Sequence, residues 1–265
     1  FSKGDPVSMI KAIFFDVDGT LLSHTTKRIP ADTISALSRL REKGIKIFMA
    51  TGRHPVELAE LPVNDLHFDG YVTLNGQLCL DNGKKPVHGT PLSPETTTAL
   101  ASLFREKTYP MVLIDEEKFY INFVNDTVIK AQQSISTPVP ETGTYENGVV
   151  YQATVFLTKS EETLLTPHLP QGCRLTRWCE HGADIISTKG GKVDGIRYFC
   201  EVYGIGQHEI MTFGDAENDM DMLKFAQIGV AMGNATEGVR DAADYVTADI
   251  DAGGIHKALR HFQIL

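Results

Sequence analysis

The stretch Ile13-Phe14-Phe15-Asp16-Val17-Asp18-Gly19-Thr20-Leu21-Leu22 decides how the chain is read, because an apolar run stops abruptly at two carboxylates and a glycine. Residues 12–15 read as a strand buried on both faces. Acidic residues just past such a strand lie at the carboxyl edge of a sheet, where open α/β folds place their ligands. Two carboxylates at i and i+2 repel each other unless a cation or a shared proton intervenes. Asp16 and Asp18 therefore suggest a hard divalent metal held by oxygen, most simply Mg²⁺. A strand followed by an ordinary Asp-Gly turn is the competing reading, since both residues are common turn formers.

Working outward, Pro30-Ala31-Asp32 opens a helix with Ile34, Leu37 and Leu40 at helical spacing and Gly44 as its stop. Residues 45–50 return as an apolar strand ending in Thr51-Gly52-Arg53, and a right-handed crossover would put Asp16 and Thr51 on one sheet edge. A third strand is expected at 71–74, before Asn75-Gly76. The texture then changes. Ser93-Pro94 starts a helix carrying Leu100, Leu103 and Phe104. Further helices are expected at 126–134 and 160–168, and strands at 111–114, 118–123, 152–157, 174–178 and 183–187. Several of these strands alternate polar with apolar residues, which suits an antiparallel sheet with one face exposed.

A doubly wound pattern resumes with a helix at 192–203 and a strand at 209–213 that ends in Gly214-Asp215-Ala216-Glu217-Asn218-Asp219. A helix through Met220 and Leu223 and short strands at 228–232 and 245–247 follow. The expected fold class is α/β: a doubly wound, mostly parallel Rossmann-like sheet core from residues 9–80 and 188–265, with an inserted α+β cap domain at 81–187. Residues 1–8, which precede Met9, read as a tag remnant.

The 265 residues suffice for a sizeable core. A net charge of −9 and a pI near 5.5 argue against nucleic-acid or membrane-surface partners, which attract basic patches. Cys79, Cys173, Cys179 and Cys200 form neither a C-x-x-C pair nor a dense disulfide pattern, as expected of free thiols in a reducing cytoplasm. No signal peptide or long apolar run is recognisable, so a soluble protein is expected. None of the nine histidines forms a zinc-binding cluster, and no obligate protein partner is evident.

Three strand ends thus carry reactive groups: Asp16 with Asp18, Thr51, and Asp215 with Asp219, while Lys192 opens the helix before the third. Asp16-Val17-Asp18-Gly19-Thr20, Thr51-Gly52-Arg53, Lys192 and Gly214-Asp215-Ala216-Glu217-Asn218-Asp219 resemble, in order, the four motifs of the haloacid dehalogenase superfamily of phosphotransferases. The insert resembles the α+β cap of its sugar-phosphatase (Cof-type, subclass IIB) branch. This resemblance implies a Mg²⁺-dependent phosphatase that hydrolyses small phosphorylated metabolites, sugar phosphates first among them, through an aspartyl phosphate. It casts Asp16 as nucleophile, Asp18 as general acid and base, and Asp16, Asp215 and the Asp18 backbone carbonyl as metal ligands. Val17, Thr51, Gly52, Lys192 and Asn218 would contact the substrate, and Asp219 would orient the lysine or metal-bound water. The residue types suit that chemistry. Phosphate monoesters hydrolyse extremely slowly unaided, a covalent intermediate divides the displacement, and attack of an anion on an anion needs charge neutralisation.

Several positions stay open on sequence alone. Thr51 also suits a helix N-cap, Lys189 competes with Lys192, and Asn75-Gly76 is either near the substrate or a tight turn. Arg53 stands at the site entrance or in a surface ion pair. Arg177, Trp178, Glu180 and His181 fall on or near a cap hairpin facing the core, with Trp178 read as core and the rest as rim. Competing functions are hydrolysis of a phosphorylated cofactor such as pyridoxal phosphate or FMN, phosphosugar mutation, a phospho-acceptor switch, and an inactive binding relative. The connections near Leu80 and at 187–191, the latter containing Gly190-Gly191, are expected to form a hinge.

Overall fold

The computed structural model describes residues 10–265, so the expected remnant at 1–8 lies outside the described residues. Strand β1 (Ala12–Phe15) is buried along its whole length. It leads into α1 (Ala31–Glu42), β2 (Lys46–Ala50), α2 (Pro55–Ala59), β3 (Gly70–Thr73), β4 (Leu78–Asp81) and β5 (Pro86–Gly89). Next come α3 (Pro94–Glu106), β6 (Met111–Ile114), β7 (Phe119–Ile121), α4 (Asp126–Ser134), β8 (Gln152–Val155), α5 (Lys159–Leu165), β9 (Cys173–Cys179) and β10 (Gly182–Ser187). The chain finishes with α6 (Lys192–Tyr203), β11 (Ile210–Gly214), α7 (Met220–Phe225), β12 (Ile228–Ala231), α8 (Glu237–Asp241), β13 (Tyr245–Val246) and α9 (Gly254–His261).

Eight strands form one sheet in the order β13-β12-β11-β1-β2-β3-β4-β5. It is parallel from β13 to β3 and antiparallel at β4 and β5. The pleat of β1 explains why its apolar run is continuous. Ile13 and Phe15 face a layer with Leu37 and Leu40 of α1 and Leu259 of α9, while Ala12 and Phe14 face Phe48 and Phe199 of α6. Phe14 stacks on Phe48 with ring centroids 4.5 Å apart; burying a ring of this kind stabilises the fold by about 2 kcal/mol. Helices therefore cover both faces of the sheet, the doubly wound arrangement.

The inserted cap is built on a second sheet, β7-β6-β8-β10-β9, antiparallel throughout. Met111, Leu113, Ala153, Val155, Ala183 and Ile185 pack with Leu100, Ala101 and Phe104 of α3. Period-two alternation sends Val112, Ile114, Gln152, Thr154 and Asp184 to the opposite face. That face was expected to meet solvent. It instead lies over the carboxyl edge of the larger sheet, because its apolar members, Val112 and Ile114 with Phe156, join the core of the catalytic half.

The expected crossing into the cap at 81 falls inside the larger sheet, to which β4 and β5 add a hairpin, so we place the crossing at residue 90. The hairpin escaped the sequence reading because most of β5 is exposed and carries no apolar signal. The turn after β3 packs on the loop before α6: Gly76 has φ +85° and a side chain there would strike the carbonyl of Gly191.

Candidate active site

Register decides what meets at the sheet edge. Phe15 pairs with Phe213 on one side and Met49 on the other, so Asp16, Thr51 and Asp215 follow three adjacent strands at one level. Lys192, the first residue of α6, is only 2% exposed. Its Nζ donates to Asp16 Oδ1 and to Asp219 Oδ1, each at 2.6 Å. Asp219 is fixed from its other oxygen, which accepts from the backbone N–H groups of Asp215 (2.9 Å) and Ala216 (3.0 Å). Thr20 Oγ1 donates to Asp215 Oδ1 at 2.9 Å, and Asn234 Nδ2 donates to the Gly19 carbonyl at 2.9 Å while reaching Asp215 Oδ2 at 3.4 Å. Any side chain at Gly19 would run into the Asp215 carboxylate. Lys189 is exposed and away from this network, so the geometry selects Lys192.

Oxygens of Asp16, Asp215 and Asp219 lie within 4.8 Å of one another. Were all three carboxyls ionised, the single ammonium would leave two negative charges in a buried space. Burial, then Asp219, pushes the Asp16 carboxyl up to about 8 against the pull of Lys192. Burial, then Asp16 and Asp219, raises Asp215 well above the carboxylate range. Burial alone would discharge Lys192, but Asp16 and Asp219 outweigh it and hold the ammonium charged. Asp16 Oδ2 is buried without a hydrogen-bond partner. An orphaned carboxylate oxygen, all-oxygen donors and a double negative surplus together fit a hard divalent cation such as Mg²⁺. The Asp18 side chain stands outside this cluster.

Asp18 is instead gripped by Arg53, which sequence alone left undecided. Arg53 Nε and Nη2 donate to the two Asp18 oxygens at 2.6 and 2.8 Å. The guanidinium, 6% exposed, also reaches the cap, donating to Thr137 Oγ1 at 2.7 Å and the Ile135 carbonyl at 3.1 Å. It is thus neither an entrance group nor a surface pair, but a buried tie between Asp18 and the cap.

The other expected residues divide. Thr51 is buried, and its Oγ1 accepts from the Arg53 N–H at 3.1 Å; the N-cap of α2 is His54, not Thr51. Val17 packs its side chain into the core, leaving only its backbone for the site. Asn75 sits in the left-handed region at φ 52°. Its Nδ2 donates to Gln152 Oε1 (3.0 Å) and Asp184 Oδ2 (2.8 Å) of the cap, and its Oδ1 accepts from Asn218 Nδ2 at 3.0 Å. Gly76 is required for the turn and its packing on Gly191. Arg177 is no rim residue: it pairs with Glu162 and donates to the carbonyls of Leu157, Cys179 and Glu180, tying the hairpin together. Trp178 meets Phe156 edge to face at 6.5 Å. Together these groups bound a cleft of about 830 Å³, open mouth included, between Asp16, Asp18, Thr51 and Asn218 below and Phe119, Phe156, Trp178 and Asp184 above.

Comparison with known proteins identifies the family of the fold. The family model for haloacid dehalogenase-like hydrolases matches residues 13–259. The chain belongs to that family. This hydrolase is 30% identical over 96% of its length to "Putative phosphatase YkrA" of Bacillus subtilis (strain 168), covering 98% of that protein. It is 26% identical over 94% of its length to the 5-amino-6-(5-phospho-D-ribitylamino)uracil phosphatase YitU of the same organism, covering 96%. Among solved structures it resembles the subclass IIB sugar phosphatase BT4131, with a TM-score of 0.86 and 40% identity over 96% of this chain and all of that one. It also resembles BT1666 of Bacteroides thetaiotaomicron, with a TM-score of 0.88 and 34% identity over the full length of both chains.

Among the site residues, Thr20, Asn234, Gln152 and Asp184 were missed. Asp184 carried a readable signal, a lone charge inside the otherwise apolar Ala183-Asp184-Ile185-Ile186. Asn234 carried none, since its partner Gly19 lies 215 residues earlier and is brought to it only by folding.

Proposed function

We propose that this hydrolase is a Mg²⁺-dependent phosphatase of small phosphorylated metabolites, sugar phosphates first among them, acting through an aspartyl phosphate on Asp16. The observation that carries the reading is the Asp16 carboxylate, held by Lys192 through one oxygen and unpartnered at the other. Its relatives named as phosphatases support the reaction class.

Asp16 attacks phosphorus as the ester P–O bond breaks, and Asp18, protonated on an oxygen that Arg53 releases when substrate enters, gives that proton to the departing alkoxide. Asp18 then takes a proton from water as that water attacks the aspartyl phosphate, releasing phosphate and regenerating Asp16. Thr51, the Gly52 N–H and Asn218 bind the phosphoryl oxygens, and Lys192 favours the ionised form of Asp16 and aims it. Asp16, Asp215 and the Asp18 carbonyl would hold Mg²⁺, which neutralises charge on the transferring group when bound. Arg53 orients Asp18 and ties its placement to the docked cap.

Hydrolysis of para-nitrophenyl phosphate tests the reading directly. Phosphate release is expected with Mg²⁺, lost in excess EDTA and restored by Mg²⁺; undiminished release in chelator would remove the metal requirement, and no release would remove the phosphatase. Free phosphate in a single turnover also separates a hydrolase from a mutase. Arg53→Met is expected to lower kcat by about 100-fold, the scale of acid–base catalysis, in steady-state kinetics on an alkyl phosphate; a wild-type kcat would show that Asp18 needs no such support.

A further inference from the structure

The cap side of the cleft combines an apolar wall with a buried carboxylate. Val112, Ile114, Phe119, Phe156 and Trp178 supply the wall. Asp184 projects from β10 beside them, 3% exposed. Its Oδ1 accepts from Thr154 Oγ1 and its Oδ2 from Asn75 Nδ2, both at 2.8 Å. Burial pushes its carboxyl up to about 7, against the pull of Thr154, Asn75 and Trp178. A carboxylate has about four lone-pair positions, so room remains for a donor from the cleft. Asp184 also stands next to the phosphate-binding segment, its Oδ2 lying 3.2 Å from where a Cβ on Gly52 would be.

Among the described residues lining the cleft, none offers Asp184 a free cation on the leaving-group side. Glu57, a second lining carboxyl, accepts from the His54 N–H at 2.9 Å and is favoured in its neutral form by burial, so it offers an approaching anion no positive partner. The basic groups lining the cleft are Arg53, already committed to both oxygens of Asp18, and His24, which burial keeps below its ordinary value and hence neutral. A second anionic group on a substrate would meet carboxylates and aromatic rings with no free cation.

We propose that Asp184 selects the leaving group: the cleft takes phosphate monoesters whose leaving group has an apolar or aromatic face and a hydrogen-bond donor near the ester, and rejects those carrying a second anion. The proposal rests on the phosphatase reading above and adds to it a charge rule and the residue that enforces it.

Matched aryl phosphates test the rule: phenyl phosphate and its meta-aminomethyl, meta-carboxamido and meta-carboxy derivatives. Wild-type kcat/KM is expected to be about tenfold higher for the aminomethyl than for the phenyl ester, and about 100-fold lower for the carboxy than for the carboxamido ester. In Asp184→Asn both ratios are expected to shrink to within about threefold. Each ratio is read within one protein, so an overall loss of rate in the variant does not enter. Equal use of the carboxy and carboxamido esters by the wild type, a comparison needing no variant, would overturn the proposal, as would unchanged ratios in Asp184→Asn. Should the wild type hydrolyse none of the esters, the phosphatase reading falls. Calorimetric binding of the corresponding benzylphosphonates then decides the charge rule by itself, the same order supporting it and equal affinities overturning it.

Discussion

Asp16→Asn is expected to lower phosphate-ester turnover by about 10⁵-fold or more while the protein stays folded, the scale seen when a nucleophile is removed from a covalent mechanism. An amide cannot form the acyl phosphate, and the neighbouring carboxyls are each held elsewhere: Asp18 by Arg53, Asp215 by Thr20, and Asp219 by Lys192 and two backbone N–H groups. The fold is expected to gain rather than lose, for an electrostatic reason. In the metal-free protein Asp16 is raised from 3.8 in its free state to about 8. A raised carboxyl contributes stability that is present below about pH 4 and is lost as pH rises towards about 8, because the folded state must then ionise a group it holds in the protonated form. Asn removes that loss. Metal-free Asp16→Asn should therefore melt higher than the wild type at pH 8, with the gap closing at pH 5. Calorimetry in EDTA checks the sign, and phosphate release with Mg²⁺ checks the rate; a variant within tenfold of wild-type turnover would end the case for an Asp16 phosphoenzyme.

Lys192→Met carries the second large effect and acts on both rate and fold. The ammonium is the only positive charge bonded to Asp16 and Asp219 among the described residues. Its loss leaves the buried Asp16 carboxyl without a partner and Asp219 without its counter-charge, and breaking a buried ion pair in this way typically costs about 3–5 kcal/mol. Turnover is expected to fall by about 10³-fold or more, the magnitude lost when one fixed charge is removed from a phosphoryl-transfer site. Mg²⁺ should recover part of the lost stability by restoring positive charge, but not the rate, because Asp16 remains unaimed. Lys189→Met provides the contrast: an exposed side chain three residues earlier should leave kcat/KM and melting temperature nearly unchanged. Comparable losses in both variants would mean that the wrong lysine had been assigned.

Much of the catalytic apparatus is written locally. Asp16 and Asp18 end an apolar run, Thr51-Gly52 ends the next, and Asp215 to Asp219 ends the third, so strand periodicity with the handedness of crossovers was enough to bring them to one edge. Those same runs determined the α/β class and the inserted position of the cap. Partnerships among the side chains were not legible, because each joins residues far apart in the chain. Arg53 finds Asp18 and Thr137, Asn75 finds Asp184 and Asn218, and Asn234 finds Gly19 only once three segments have been packed together. The sheet pairing of residues 86–89 was hidden for a related reason: an exposed edge strand buries too little apolar surface to mark itself.

By itself, then, the sequence determined that Asp16, Thr51 and Asp215 share one sheet edge, since backbone periodicity and a two-carboxylate motif are properties of neighbouring residues. Only the tertiary structure decided which lysine is bonded to Asp16, that the polar face of the cap covers the cleft instead of meeting water, and that Asp184 lines that cleft bonded to Asn75. Those outcomes depend on burial and on distances between remote segments, which are set when the two sheets are pressed face to edge and the dielectric between them falls.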